Sequence, residues 1–369
     1  MRLSRRATIV VVALVLMMGA AIGAARWWND THPTGIKGAV AALPATTQSF
    51  QFTDWSAVRI ELRVMQGQEI SKLGTWLDPS TYAATSTSPN VLRTLSSTSI
   101  ISTPDSAMQL QKQFGISPAN LQWEAYGNLP AGGVEVLSPN ATVDLTKVRS
   151  ALTAAGYVQT KSGAWSLEGG SANLPDFGNI AVLPDRHLVL ASASPIALTD
   201  AMQTASGKVP SLDSVTSLND LVGTLDQPVA ADVWVRDAVC GDTRISYSAQ
   251  AAPDPATEQE INQAIRSAGG VSPLVGFALT LNPDGTLTAA MQYPSDSAAQ
   301  RDLKARATLA TGQRYSIGVN FASLFTLVSS QTNNSTILLQ MSPVPGSESS
   351  TGVPLFPWLI QGDLDFASC

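Results

Sequence analysis

The hydrophobic pattern divides the chain into an apolar opening segment and a long amphipathic remainder. Residues 7–25 carry no charge and, as a helix, would be about 28 Å long, close to the roughly 30 Å hydrocarbon thickness of a bilayer. Three arginines precede this run, and Trp27 and Trp28 follow it, as is typical of a span that starts in the cytoplasm. The pattern predicts a cytoplasmic stretch over residues 1–6 and a transmembrane helix over 7–25. A signal peptide cleaved at the small residues 23–25 is the alternative.

Residues 26–48 follow the apolar run, contain scattered prolines and glycines, and show no periodicity. They predict a tether between the membrane and the folded part. Residues 49–53 then alternate like a short strand, and Asp54 can cap the helix that follows. Residues 79–103 are rich in Ser and Thr, and we expect them to form a long surface excursion.

A unit of two strands, a connecting turn and one amphipathic helix occurs three times. The copies occupy residues 121–155, 179–207 and 276–311. Because hairpin strands pair antiparallel and an amphipathic helix buries one stripe, the helices must cover one face of the sheet. The predicted fold class is α+β: antiparallel sheets covered by helices in repeated strand-strand-helix units. We expect two similar halves, 49–207 and 208–369.

Composition and charge narrow the choice of partners. The hydrophobic fraction of 44% supports a real core, while the charged fraction of 14% is low against a typical value of about 25%. The net charge is −6, and the arginines before the apolar run make the remainder more acidic still. An acidic ectodomain argues against a nucleic-acid partner and gives no reason to expect electrostatic binding to anionic lipid.

Cys240 and Cys369 are the two cysteines of the chain. Outside the cytoplasm, an isolated pair predicts a disulfide, with two separate buried thiols as the alternative. The bond would close a loop of about 130 residues, for which the chain-entropy model gives roughly 4–5 kcal/mol. It would also hold the last residue of the chain against its middle.

The motifs of common enzyme and metal sites are missing from the sequence. His32, in the predicted tether, and His187, at the start of a predicted strand, are its two histidines, too few for a transition-metal site. Neither a nucleophile elbow nor a glycine-rich phosphate-binding motif occurs. The sequence therefore predicts no catalytic, cofactor-binding or metal-ligating residue and no cofactor, and we interpret His187 as an ordinary strand residue.

Two acid pairs and four tryptophans are the remaining candidates for site chemistry. Asp363 with Asp365 and Glu258 with Glu260 could serve a carboxylate-dependent hydrolase, but we expect both pairs to be solvated surface. The tryptophans could stack on sugars, but their apolar neighbours predict core or core-edge rings. They are Trp55, Trp123, Trp165 and Trp234.

Five short stretches carry a resemblance to a known group of proteins. They are Thr53-Asp54-Trp55, Trp123-Glu124-Ala125-Tyr126-Gly127, the stretch from Leu188 to Ser194, Arg306-Ala307 with Leu309-Ala310 and Gly312, and Phe366-Ala367-Ser368-Cys369. In this order they resemble a group of actinobacterial membrane-anchored extracytoplasmic proteins of similar length. The resemblance implies an envelope location in a Gram-positive-type bacterium. It implies no activity, because none is assigned to the group.

Three functional hypotheses follow from these features. The first is a non-enzymatic binding or structural module of the cell envelope, anchored through residues 7–25, with an envelope protein or lipid as partner and at least one exposed apolar patch. The second is a carrier or sensor of a lipid or other apolar ligand, which requires a deep apolar pocket. The third is a hydrolase, which requires two acids facing each other in a cleft with shifted pKa values.

Overall fold

The computed structural model describes residues 34–65, 68–78, 95, 98–170, 174–235, 239, 255–314, 319–345, 356, 359 and 364–367. The expected transmembrane helix over 7–25, His32, Asp363 and both cysteines lie outside these residues, so the anchor and the disulfide stay predictions. In the described part, no helix is both long and apolar enough to cross a membrane.

The described part of the chain contains nine α-helices, fourteen strands and five short 3-10 helices. The helices are α1 Gly35–Ala42, α2 Trp55–Glu61, α3 Leu73–Trp76, α4 Pro104–Phe114, α5 Leu145–Ala154, α6 Pro195–Ala205, α7 Thr216–Gly223, α8 Pro255–Ala268 and α9 Asp296–Ala310. The strands are β1 Ser49–Asp54, β2 Leu121–Leu129, β3 Gly132–Pro139, β4 Val158–Gln159, β5 Trp165–Ser166, β6 Asn179–Leu183, β7 Leu188–Ser192, β8 Ala230–Val235, β9 Gly276–Leu281, β10 Leu287–Gln292, β11 Gln313–Arg314, β12 Val319–Asn320, β13 Phe325–Asn333 and β14 Thr336–Pro343.

Twelve of the strands form one sheet in the order β13-β14-β10-β9-β8-β1-β2-β3-β7-β6-β5-β4. Its pairings are all antiparallel, as the hairpin pattern predicts. β1 and β8 pair at the centre, and the strand orders on their two sides match. β1-β2-β3-β7-β6 runs outward on one side, and β8-β9-β10-β14-β13 runs outward on the other. The α+β class is therefore confirmed, while the boundary between 207 and 208 stays a prediction.

Helices pack against both faces of the sheet, which corrects the expectation that they cover one. α2, α3, α4, α5, α8 and α9 share a hydrophobic cluster with one face, which we call the covered face. α1, α6 and α7 share a second cluster with the opposite face. Because most of the sheet is buried on both sides, β8 and β9 are buried at every position, and the period-two pattern of a half-exposed strand is lost there.

The second part of the expected tether is folded, which is a correction for residues 26–48. Gly35–Ala42 forms helix α1, with Ile36, Ala39 and Val40 buried in the second cluster. Thr34 precedes the helix but makes no capping hydrogen bond from its side chain. The helix is stabilised by burial rather than by its own end signals, so the usual start signals do not reveal it.

Part of the expected surface excursion over 79–103 is also buried. Thr98, Ser99 and Ser102 are at most 8% exposed, while residues 79–94 lie outside the description. The Thr98 hydroxyl lies 2.9 Å from that of Thr53 on β1. These hydroxyl groups can be buried because polar groups on the covered face form hydrogen bonds with them.

Candidate functional site

A groove opens on the face that carries α1, α6 and α7, where these helices stop short of the outer strands. The second cluster reaches the small residues Ala278 and Ala290, with Leu338 packed at its margin. Beyond them the sheet surface is polar and encloses a groove of about 430 Å³ beside the end of α7. This volume falls in the range of about 300–1,000 Å³ that is usual for small-molecule sites.

A row of directly paired polar residues forms the floor of the groove, and we call it the open row. Thr280 on β9 pairs with Thr288 on β10, Thr288 pairs with Gln340 on β14, and Gln340 pairs with Ser329 on β13. Residues directly opposite in antiparallel strands point to the same face, so all four line the groove. With strands about 4.8 Å apart, the row is about 14 Å long.

Hydrogen bonds hold the side chains of the groove in place. Asn282 Nδ2 donates to Thr286 Oγ1 at 3.0 Å and to Thr288 Oγ1 at 2.9 Å. Ser329 Oγ donates to Gln340 Oε1 at 3.4 Å. Because Thr288, Ser329 and Gln340 stand on paired strands, they are positioned more rigidly than they would be on a loop.

The charges at the groove are all negative. Asp226, which follows α7, and Asp284, in the β9–β10 turn, belong to its lining, and none of the lining residues is basic. The Asp284 carboxylate accepts hydrogen bonds from the N–H and the hydroxyl of Thr286 at 2.9 and 2.6 Å. Asp284 therefore stabilises the turn, while Asp226 is an exposed acid at the rim.

A second polar row crosses the covered face at the centre of the sheet, and we call it the covered row. Asp232 on β8 pairs with Gln51 on β1, Gln51 pairs with Tyr126 on β2, and Tyr126 pairs with Glu135 on β3. Burial raises the pKa of Asp232 to about 8, against hydrogen bonds from Val233 and Gln51 that lower it. At neutral pH this carboxyl group is mostly protonated.

Glu124 lies next to the covered row and is completely buried. Its Oε2 accepts hydrogen bonds from Trp55 Nε1 at 2.7 Å and from Ser99 Oγ at 2.6 Å. Its Oε1 accepts from the backbone N–H of Ile100 at 3.1 Å. Burial raises the pKa of Glu124, and these hydrogen bonds oppose the shift.

Glu135 on β3 is the diagonal neighbour of Glu124 on β2, on the same face of the sheet, and is equally buried. Among the described residues, no N–H or hydroxyl group donates to either of its carboxyl oxygens. Burial raises the pKa of Glu135 well above its ordinary value, and the nearby Glu124 and Asp176 carboxylates add to the shift. Two carboxyl groups this close hold a shared proton more readily than two charges.

These acids match one requirement of the hydrolase hypothesis and fail another. Their pKa values are raised and Glu124 lies diagonally beside Glu135, but both lie in the core with no exposed surface rather than in a cleft. Sequence reasoning missed both acids because it treated the strands as half exposed. The signal that could have found them is an acid among apolar residues within a strand, as in Trp123-Glu124-Ala125.

The remaining candidates from the sequence take structural positions. His187 precedes β7 rather than starting it, has a φ of 50°, and its Nε2 lies 3.0 Å from the Asn140 carbonyl oxygen. Asp365 lies in a short helical turn and is 1% exposed, which corrects the expectation of a solvated acid. Glu260, by contrast, is exposed. The structure does not bring these residues together with the groove.

The tryptophans lie in the core or at its edge. Trp55, Trp123 and Trp234 are at most 4% exposed, and Trp165 is half-buried. A separate set of large apolar side chains is exposed on α2, α4 and the segment between α2 and α3. These are Ile60, Met65, Ile70 and Met108, which are 44–75% exposed.

Comparisons with known proteins do not assign a family. No protein-family model matches the chain, and no curated protein matches it. Two solved structures, crystal forms III and I of TP0453, are 8% and 7% identical to it, with TM-scores of 0.38 and 0.36. They cover 85% and 87% of this chain and 96% and 97% of their own chains. Values this low support no inference about function.

Proposed function

We propose that this protein is a membrane-anchored extracytoplasmic binding module of the bacterial cell envelope, without enzymatic activity, and that the groove is its binding surface. One observation carries the proposal: on a rigid sheet, the groove presents the uncharged side chains of Thr288, Ser329, Gln331 and Gln340 to solvent, with Thr280 buried at its inner end. Such groups are hydrated and available to a ligand, whereas the ionisable groups of the covered face are sealed.

The location rests on the sequence. The apolar run over 7–25, with arginines before it and tryptophans after it, would anchor the chain and place the folded part outside. A disulfide between Cys240 and Cys369 fits the same compartment. Their described neighbours Val239 and Ala367 are both buried in the cluster of the covered face, which is compatible with that bond.

The chemistry of the groove favours a polar ligand over an acyl chain. A lipid carrier needs a deep pocket lined by apolar side chains. The floor of the groove instead carries the hydroxyl and amide groups of Thr280, Asn282, Thr288, Gln331 and Gln340. Covering these groups with an acyl chain would strip them of water without replacing their hydrogen bonds.

The membrane topology can be tested with the full-length chain carrying a C-terminal epitope tag. Protease added to intact spheroplasts should remove the tag, because the folded part lies outside the membrane. A tag that survives in intact spheroplasts and is removed only after lysis would contradict the proposed location.

The binding surface can be tested by sedimentation with isolated envelope fragments. We expect the wild type in detergent to co-sediment, and Gln331→Leu combined with Gln340→Leu to weaken binding about tenfold, because hydrogen bonds worth about 1.4 kcal/mol in total are lost. Gln203→Leu is the matched control, since Gln203 is exposed on α6 outside the groove. Equal binding by all three proteins would contradict the assignment of the groove.

A further inference from the structure

We infer that the ligand of the groove is an uncharged polyhydroxylated molecule, namely a short stretch of neutral carbohydrate. This inference rests on the proposed binding function and adds the chemical class of the ligand. It follows from which groups line the groove, which of them lack partners, and which charges stand at its rim.

The lining groups can both donate and accept hydrogen bonds. Hydroxyl groups come from Thr224, Thr280, Thr288 and Ser329, and amide groups come from Asn282, Gln331 and Gln340. A sugar hydroxyl is likewise one donor and two acceptors, so a row of such groups is complementary to it in either orientation. A phosphate or a carboxylate, which only accepts, would leave the acceptor oxygens of these amides unsatisfied.

Unused hydrogen-bonding capacity lies on the two outermost strands of the groove. Within the described part of the chain, the Gln331 amide makes no hydrogen bond, and Gln340 uses its Oε1 but not its Nε2. Gln331 pairs with Leu338, so its side chain rises directly beside the open row. These two amides are free to hold a ligand that lies along the row.

The charges at the rim exclude anions. Asp226 and Asp284 flank the groove and no basic residue lines it, so a negatively charged ligand meets only repulsion. The two carboxylates can instead accept hydrogen bonds from sugar hydroxyls. A cationic ligand would also suit two acids, but the lining has seven uncharged polar side chains against these two carboxylates.

The apolar part of the lining suits the C–H groups of a sugar ring. Leu225, Pro283 and Leu338 add aliphatic surface, and the lining includes no aromatic ring. Without ring stacking, hydrogen bonds and small apolar contacts must supply the affinity, so we expect weak binding with fast exchange. The length of the open row suits a short oligosaccharide rather than a single sugar.

The test is saturation-transfer NMR on the full-length protein in detergent micelles with three probes. These are a neutral glucan or N-acetylglucosamine tetrasaccharide, a uronic-acid tetrasaccharide, and a tetralysine peptide. We expect transfer to a neutral tetrasaccharide alone. The double variant Gln331→Leu/Gln340→Leu should reduce the affinity at least tenfold, while Gln203→Leu changes it less than twofold. An unchanged unfolding midpoint for each variant shows that its fold is intact.

The outcomes separate this inference from the proposed function. Transfer to tetralysine or to the uronic acid in place of the neutral sugars overturns the carbohydrate assignment. Absence of transfer to every probe, with envelope binding that still depends on Gln331 and Gln340, also overturns it but leaves the binding module standing. If the wild type binds neither the sugars nor the envelope fragments, both the carbohydrate assignment and the proposed binding function are overturned.

Discussion

The covered row and the open row are built alike and are used differently. Each crosses four neighbouring strands of the same sheet through directly paired residues. Asp232 and Glu135 end the covered row beneath helices, whereas Thr280 and Ser329 end the open row in a groove. A polar side chain on a strand therefore serves folding or binding according to what lies above it.

Burial decides the chemical state of each row. In the covered row, desolvation raises the pKa of Asp232 to about 8 and that of Glu135 well above its ordinary value, which favours the neutral form of both acids in the core. The covered face also holds Arg306, which is 0% exposed and donates to Tyr293 Oη at 2.7 Å. In the open row, Thr288, Ser329 and Gln340 are half-buried at the groove, whereas Thr280 is 1% exposed, so a ligand would replace water at the first three only.

The largest expected effect comes from removing Arg306. It also donates to the carbonyl oxygens of Phe366 at 3.0 Å and Ser272 at 2.8 Å, so Arg306→Met leaves buried acceptors without donors. We expect the free energy of unfolding to fall by about 3–5 kcal/mol in chemical denaturation. Arg266→Met, at an exposed position of α8, should cost less than about 1 kcal/mol. Equal losses would show that burial does not separate the two arginines.

The next largest effect is expected from Glu124→Ala. The change leaves Trp55 Nε1, the Ser99 hydroxyl and the Ile100 N–H without their acceptor. We expect a loss of about 2–4 kcal/mol in unfolding free energy. Gln331→Ala in the groove should change it by no more than about 0.5 kcal/mol. A larger loss from the groove variant would reverse the roles that we assign to the two faces.

The third effect is a pH dependence carried by Asp232. In the unfolded chain its pKa returns from about 8 towards 3.8, so between pH 5 and pH 7 folding takes up a proton. The stability contributed by the neutral acid is complete below pH 4 and is lost as the pH rises towards 8. Relative to Asp232→Asn, the wild type should lose about 1.4 kcal/mol of unfolding free energy from pH 6 to pH 7. Parallel pH profiles of the two proteins would contradict this.

The smallest effect is expected from Glu135→Gln. The amide keeps the volume of the side chain and can donate to Glu124, which removes the conflict between two neighbouring acids. We expect a gain of about 1 kcal/mol at pH 7 and almost none at pH 4, measured by denaturant titration. Glu168→Gln, at an exposed position, serves as the control and should have no effect at either pH.

Capping and turn residues in the sequence predict the helices and hairpins whose ends they determine. Asp54, the predicted cap, accepts a hydrogen bond from the Ala57 N–H at the start of α2. Ser194 accepts one in the same way from the Ala197 N–H at the start of α6, and Gly115 ends α4 with a φ of 70°. Capping and turn residues act over a few positions, so a single sequence reveals them.

Tertiary contacts determined what the sequence could not show. Because α1 lacks a capping side chain, the sequence pattern predicts a tether there, and it predicts surface where Thr98 and Ser99 are buried. The covered row joins residue 51 to residues 126, 135 and 232, and the open row joins residue 280 to residue 329. Such rows depend on strand order and register, which local patterns do not specify.

Hydroxyl-radical footprinting of the full-length protein, with and without isolated envelope fragments, tests the binding surface most directly. We predict that added envelope fragments protect Leu338 and the neighbouring segments of β13 and β14 from oxidation. The exposed side chains of Ile60, Met65 and Met108 should stay as reactive as before. Protection of those exposed apolar side chains, with the groove strands unchanged, would place the binding surface on α2 and α4 and contradict the account.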